Sequence, residues 1–186
     1  MKFKNDSMKL ILLMVCAISI SCKNNDIQNK LQKFINSEII IPNNMDVFPD
    51  GCAQQFDGPK LVYFVDSIGC ISCRLNHLFE NLNILNESDA KCTVLPIIAP
   101  NKNNQEVLLL IREHNIHIPI YIDKENSFYK LNKTLPPDYK YHSFLLDKNN
   151  QVVLVGDPLA SDAMWTLFKS TLDNMLAHGG VYVPEK

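Results

Sequence analysis

The sequence predicts an α/β domain built on one mixed β-sheet with helices on both faces. Three observations predict it. Short apolar runs alternate with segments whose apolar residues recur at helical spacing. The alternation closes with a β-hairpin and a final helix, so parallel crossovers and an antiparallel pair must share one sheet. A C-x-x-C, Cys70-Ile71-Ser72-Cys73, stands where an apolar strand gives way to a helix.

In order along the chain, Glu38-Ile39-Ile40-Ile41-Pro42 is a short β-rich segment, and a turn-rich loop follows to Asp57-Gly58-Pro59-Lys60. Leu61 to Val65 is apolar throughout, as a strand buried on both faces must be. From about 71 to 86, Leu75, Leu78, Phe79, Leu82 and Leu85 form one helical stripe. Cys92 to Ala99 is a second buried strand, ended by Pro100-Asn101. Gln105 to His114 reads as a helix through Val107, Leu108, Leu110 and Ile111. Ile116 to Ile122 is a third strand interrupted by Pro119, and Ser127 to Leu135 a short helix. The hairpin is Ser143 to Leu146, the turn Asp147 to Asn150, and Gln151 to Val155. Met164, Leu167, Phe168, Leu172 and Leu176 set the last helix, roughly Ala160 to Ala177.

The start of the chain bears on its compartment. Met8-Lys9 is basic, Leu10 to Ile18 is a short apolar run, and Ser19-Ile20-Ser21 precedes Cys22. The apolar run is too short for a spanning helix and reads as a secretory signal. With a cysteine after Ser21 it resembles a bacterial lipoprotein signal, although Ser19 stands where leucine is usual. The resemblance implies cleavage before Cys22 and acylation of that cysteine, and multiple acyl chains hold a protein on a membrane stably. The expected organisation is a signal over 1–21, a lipid-anchored polar tether over 22–37, the α/β domain over 38–178 and a tail over 179–186. The protein is thereby expected in the bacterial cell envelope, at the periplasmic face of the inner or outer membrane or at the cell surface. Net charge is −2 with no basic block, which excludes an electrostatic nucleic-acid binder.

Six cysteines need roles. Cys16 leaves with the signal and Cys22 carries lipid. Cys92 opens an apolar strand and reads as a buried free thiol, while Cys52 follows Asp50-Gly51 in a loop; a Cys52–Cys92 disulfide is the alternative, which spacing does not decide. Cys70 and Cys73 carry the chemistry. At a helix N-terminus, unpaired N–H groups and the positive end of the dipole favour a thiolate at Cys70. A thiolate attacks disulfides, and Cys73, one turn on, can resolve the mixed disulfide. A structural zinc site needs two further ligands, and the chain has no second C-x-x-C and no H-x-x-x-H.

The element order, with Gly58-Pro59-Lys60-Leu61-Val62-Tyr63-Phe64-Val65, Cys70-Ile71-Ser72-Cys73 and Phe144-Leu145-Leu146-Asp147-Lys148-Asn149-Asn150-Gln151-Val152-Val153 as landmarks, resembles thioredoxin. The extra strand–helix before the hairpin and the anchor make it similar to the membrane-tethered periplasmic TlpA-type redoxins. The likeness spans about residues 38 to 178. It implies a thioredoxin-like fold with an inserted strand–helix and an N-terminal extension. It also implies thiol–disulfide exchange with extracytoplasmic protein disulfides and dithiols, needing no cofactor. The chain departs from the family at three places. Gly69 stands where tryptophan commonly precedes the first cysteine. Phe64 stands six positions before that cysteine, where relatives carry a proton-transfer residue; Asp66 is either a substitute or a cap for the loop or helix. Tyr141 falls where the family places a cis-proline, with Pro136 and Pro137 upstream and Pro119 before another strand.

The same alignment brings His142 beside the dithiol. It is expected to stabilise the Cys70 thiolate as an imidazolium, to join Cys70 and Cys73 as a copper ligand, or to face solvent without a chemical role. Copper chaperones of this fold use C-x-x-x-C, one residue longer than here. His77, one turn after Cys73, reaches the site edge or lies on the surface, and Arg74 either lowers a thiol pKa or is solvated. Tyr139 and Tyr141 are candidate partner contacts near Gly69. The peroxidase pattern Pro-x-x-x-Thr/Ser-x-x-Cys fails because Tyr63 occupies the proline position. Three readings stand: a thiol–disulfide oxidoreductase, a Cu(I)-binding or delivery module, and a scaffold lipoprotein with a structural disulfide.

Overall fold

The computed structural model describes residues 26–49, 56–68, 70–88, 90–100, 105–114, 116 and 118–184. The segment expected as a signal, with Cys16, and Cys22, Cys52 and Gly69 lie outside the described residues. Six strands form one sheet: β1 (Asp46–Phe48), β2 (Lys60–Val65), β3 (Thr93–Ile98), β4 (Ile120–Ile122), β5 (Ser143–Leu146) and β6 (Val152–Val155), in the order β1-β4-β3-β2-β5-β6. β2, β3 and β4 run parallel, while β1, β5 and β6 pair antiparallel with their neighbours. The predicted mixed sheet is therefore present.

β2 is central and every one of its residues is buried. Its alternation divides the core. Leu61, Tyr63 and Val65 face a cluster that includes α2 (Ile71–Glu87), α3 (Gln105–Glu113) and α5 (Asp162–Ala177). Val62 and Phe64 face the opposite cluster, with α1 (residues 26–34) and α4 (Ser127–Leu131). The α2 stripe predicted from sequence, Leu75, Leu78, Phe79, Leu82 and Leu85, is buried as a set.

The far end of β2 is held by Lys60, only 1% exposed. Its ammonium donates to the carbonyls of Gly58 at 2.9 Å, Asp147 at 3.4 Å and Lys148 at 3.5 Å. Burial lowers its pKa, and Asp147 and Asp57 partly offset that.

Several elements depart from the sequence expectations. The segment expected as a tether is helical from residue 26, and Phe34 is fully buried with its ring 5.1 Å edge-on from Phe144. The packed unit thus extends back beyond Glu38. After α1 the chain runs along the outer side of β6: Asn36 N–H donates to Val152 O, Val152 N–H to Ser37 O and Ile39 N–H to Asn150 O. The expected β-rich segment at 38–42 contributes only a bridge from Glu38 to Gln151, and the edge strand β1 forms inside what read as loop. β4 starts only after Pro119, which has no N–H to give a ladder. The tail at 179–184 is tied down. Gly179 takes φ +64 and Gly180 N–H closes on Met175 O, a Schellman ending for α5. Asn174 then exchanges two hydrogen bonds with Val183.

Replacing Phe34 with alanine should cost about 3–5 kcal/mol, because it empties a fully buried aromatic site. Denaturant unfolding followed by circular dichroism checks it; a loss below about 1 kcal/mol would make α1 a detachable tether.

Candidate active site

Cys70 and Cys73 form a disulfide with Cα atoms 5.5 Å apart. Cys70 is the N-cap of α2, with extended backbone (φ −77, ψ 94) and no side-chain cap hydrogen bond. Its carbonyl accepts from Arg74 N–H at 3.3 Å, so the helix starts at the motif itself. The sulfur occupies the position of a capping oxygen, next to the unpaired N–H groups of the first turn. Both cysteines are exposed. Burial therefore does not distinguish attacking from resolving thiol here; only the position along the helix does.

The loop from β2 to the motif is fixed by charge. Asp66, 5% exposed, accepts from Ile68 N–H at 3.1 Å and pairs with Arg74 through the same oxygen. The Arg74 guanidinium also donates to the carbonyls of Asp66 at 3.2 Å and Ile68 at 3.0 Å, and lies 5.0 Å from the centre of the Tyr139 ring. Of the two roles expected for Asp66, the geometry realises the cap. Arg74 is neither solvated nor free to face a thiolate, since its charge is committed to Asp66.

His142 does not face solvent. It is 2% exposed, because a 3-10 turn at Tyr139–Tyr141 precedes β5 and turns the ring inward against Phe64. Nε2 donates to Pro136 O at 2.8 Å, while Nδ1 has no partner among the described residues. Burial holds its pKa below the ordinary 6.5, outweighing the Pro136 hydrogen bond and nearby Asp66. The ring is neither solvent-facing nor stabilised as an imidazolium. Among the described residues no three His, Cys, Asp or Glu side chains are grouped so as to hold a metal ion. The approach to β5 carries no cis-proline, and the cis bond among the described residues is Phe48–Pro49, at the far edge of the sheet.

A network beside α2 was not legible in sequence. Tyr63 donates to Asp157 Oδ1 at 2.9 Å, and Asn81 Nδ2 to Asp157 Oδ2 at 2.7 Å. His77 Nε2, on an exposed side chain, approaches the same carboxylate at 3.5 Å. Burial, then Asp157, pushes the Tyr63 phenol far above its ordinary value. These groups, with Arg74, Tyr139 and His142, line a cavity of about 100 Å³. Arg74, His77 and Asn81 continue the α2 stripe that begins at Cys70 and Cys73. Tyr139 is 62% exposed, and Tyr141 lies under the Lys140 ammonium. Cys92 is a free thiol, pushed up to about 11 by burial, and so is inert at neutral pH.

A dithiol at the start of the helix after the central strand, in a mixed sheet closed by a hairpin and a helix, defines a thioredoxin-like fold with a site suited to redox chemistry. Solved structures are similar to this chain. A thioredoxin-like protein in its oxidized form matches with 15% identity and a TM-score of 0.51, covering 78% of this chain and 98% of that one. The thioredoxin domain of a thiol-disulfide oxidoreductase from Bacteroides vulgatus is 15% identical (TM-score 0.45; 62% of this chain, 79% of that chain). StoA from Bacillus subtilis is 17% identical (TM-score 0.43; 62% and 84%). No protein-family model matches the sequence, and no curated protein does.

Acid should weaken the fold through His142. Its pKa falls on folding, so the unfolded chain binds the proton first. The stability is present above about pH 6.5 and is lost as pH drops through the lower folded value. Urea midpoints between about pH 7 and about pH 5 should decline in the parent. The decline should be shallower in His142→Gln, which keeps a donor for Pro136; equal slopes would exclude His142 as its source.

Proposed function

We propose that this chain is a thiol–disulfide oxidoreductase acting on protein disulfides and dithiols in the bacterial cell envelope, held to a membrane by lipid on Cys22. The observation that carries the reading is the exposed Cys70–Cys73 disulfide at the first turn of α2. In the reduced protein the Cys70 thiolate attacks a partner disulfide, forming a mixed disulfide and releasing one partner thiolate. Cys73 loses its proton and attacks Cys70 Sγ. That closes the Cys70–Cys73 bond and releases the second partner thiol, so two electrons pass to the partner. Run backwards, the same steps oxidise a dithiol, and the potential of the couple relative to its surroundings decides the direction. The two thiols carry the electrons with no cofactor. Exposed Tyr139 and Ile68 beside the motif give a partner chain apolar surface to rest on.

The lipid anchor is supported by the Met8 to Cys22 pattern. Among the described residues no helix is long and apolar enough to cross a membrane, so the anchor would be lipid rather than one of these helices.

A redox titration of the chain from residue 23 onward, in glutathione and dithiothreitol buffers, tests the proposal. A reversible two-electron transition of Cys70–Cys73 with a defined midpoint is expected. A pair that stays oxidised until the protein unfolds would reduce the motif to a structural staple.

The attacking thiol is identified by trapping. Cys73→Ser should accumulate a mixed disulfide with a disulfide substrate at least about tenfold faster than Cys70→Ser, because the cap position favours the Cys70 thiolate. Equal rates would show that helix position confers no asymmetry on two equally exposed sulfurs.

A further inference from the structure

We infer that a basic groove between α1 and the turn after α4 docks on the anionic phospholipid headgroups of the membrane to which the chain is anchored. The inference rests on the lipid-anchor reading given above. The groove has a volume of about 220 Å³ and is lined by Lys30, Lys33, Lys133, Thr134, Pro136 and Pro137, with Leu135 at its floor. Three lysines and a threonine line it, and no acidic residue does. Lys30 lies 2.7 Å from Asp26 at the start of α1. Lys33 and Lys133 have no carboxylate partner among the described residues, so two full positive charges in one groove are left uncompensated.

Chain length selects the occupant. Residues 23–25 alone separate Cys22 from the first described residue of α1. Four extended steps span at most roughly 14 Å, so acylation at Cys22 brings α1 to the headgroup layer. Surface potential decays over about 8–10 Å in physiological salt, and Lys30 stands on the second turn of this nine-residue helix and Lys33 on its last. Apolar residues accompany the lysines in sequence: Ile35, 37% exposed, follows Lys33, and Leu131, 47% exposed, precedes Lys133. Basic groups interleaved with exposed aliphatic side chains are the chemistry of an interfacial surface. Docking has a geometric consequence. Pro136, in the groove wall, accepts the His142 hydrogen bond, and His142 lines the cavity beside α2. The groove therefore sits toward the dithiol end of the sheet, and docking favours partners whose cysteines lie near the bilayer.

The test uses the acylated protein in vesicles of phosphatidylcholine alone and of phosphatidylcholine with phosphatidylglycerol. Acetylation of each lysine is followed by mass spectrometry. On the anionic vesicles Lys30, Lys33 and Lys133 should label several-fold more slowly than on the neutral ones, with Lys91 in the connection from α2 to β3 and Lys169 on α5 unchanged as reporters, and high salt should abolish the difference. In Lys33→Gln/Lys133→Gln, protection of Lys30 should drop, the docked-to-undocked ratio falling about fivefold per lysine removed. Equal labelling on both vesicles overturns the inference, as does equal protection by free inorganic phosphate, which would make the groove a small-anion pocket. Intact mass separates the two failures. A chain lacking acyl groups on Cys22 refutes the anchor, while its labelling when added to anionic vesicles still decides whether the groove docks.

Discussion

The site depends on one interaction, the ion pair that Arg74 makes with Asp66. The last residue position after β2 and the first turn of α2 must be brought together if a cysteine is to cap the helix. Arg74 does this with a single guanidinium, which meets the Asp66 carboxylate and two carbonyls of the connecting loop. The pair is largely shielded, with side chains 14% and 7% exposed, so its strength is not lost to solvent screening. The same charge is stacked on Tyr139, which ties the loop before β5 to the motif. Removing either partner would leave an uncompensated charge where the backbone has the least support of its own.

This assignment changes the electrostatics expected of the dithiol. In the sequence, an arginine next to the second cysteine looks like a source of thiolate stabilisation. In the structure that charge is spent on the loop, and the nearby histidine is kept neutral by burial. What remains to favour a thiolate at Cys70 is the helix terminus itself. The site therefore obtains its reactivity from backbone geometry and its rigidity from charge.

Much of the fold was legible because it is locally encoded. β2, α2, the hairpin and α5 lie within one or two residues of the predicted bounds, since each carries its own periodicity and its own stop signal. β1 escaped because three residues have no readable period; it exists through its pairing with β4. α1 escaped because its decisive apolar residue, Phe34, is set in an Asn- and Lys-rich stretch that reads as spacer. At the site, Cys70 and Cys73 were evident from their spacing. The Tyr63–Asp157–Asn81 network was not, because its hydrogen bonds join residues 94 and 76 positions apart. Asp157 in particular looks like an ordinary turn residue between Gly156 and Pro158. The burial of His142 was not legible for a related reason: the 3-10 turn that precedes it has no strong sequence signature.

The path of residues 36 to 39 along β6 has a consequence for how copies of this protein behave beside one another. An open strand edge offers unpaired N–H and C=O groups to any neighbouring chain, and proteins crowded on a surface meet their neighbours constantly. Here the start of that edge is already occupied by the chain's own backbone, through Asn36, Ser37 and Ile39. The stretch that follows α1 thus works as a built-in guard against aggregation. Proteolytic loss of the segment would uncover a sticky edge as well as loosen the core.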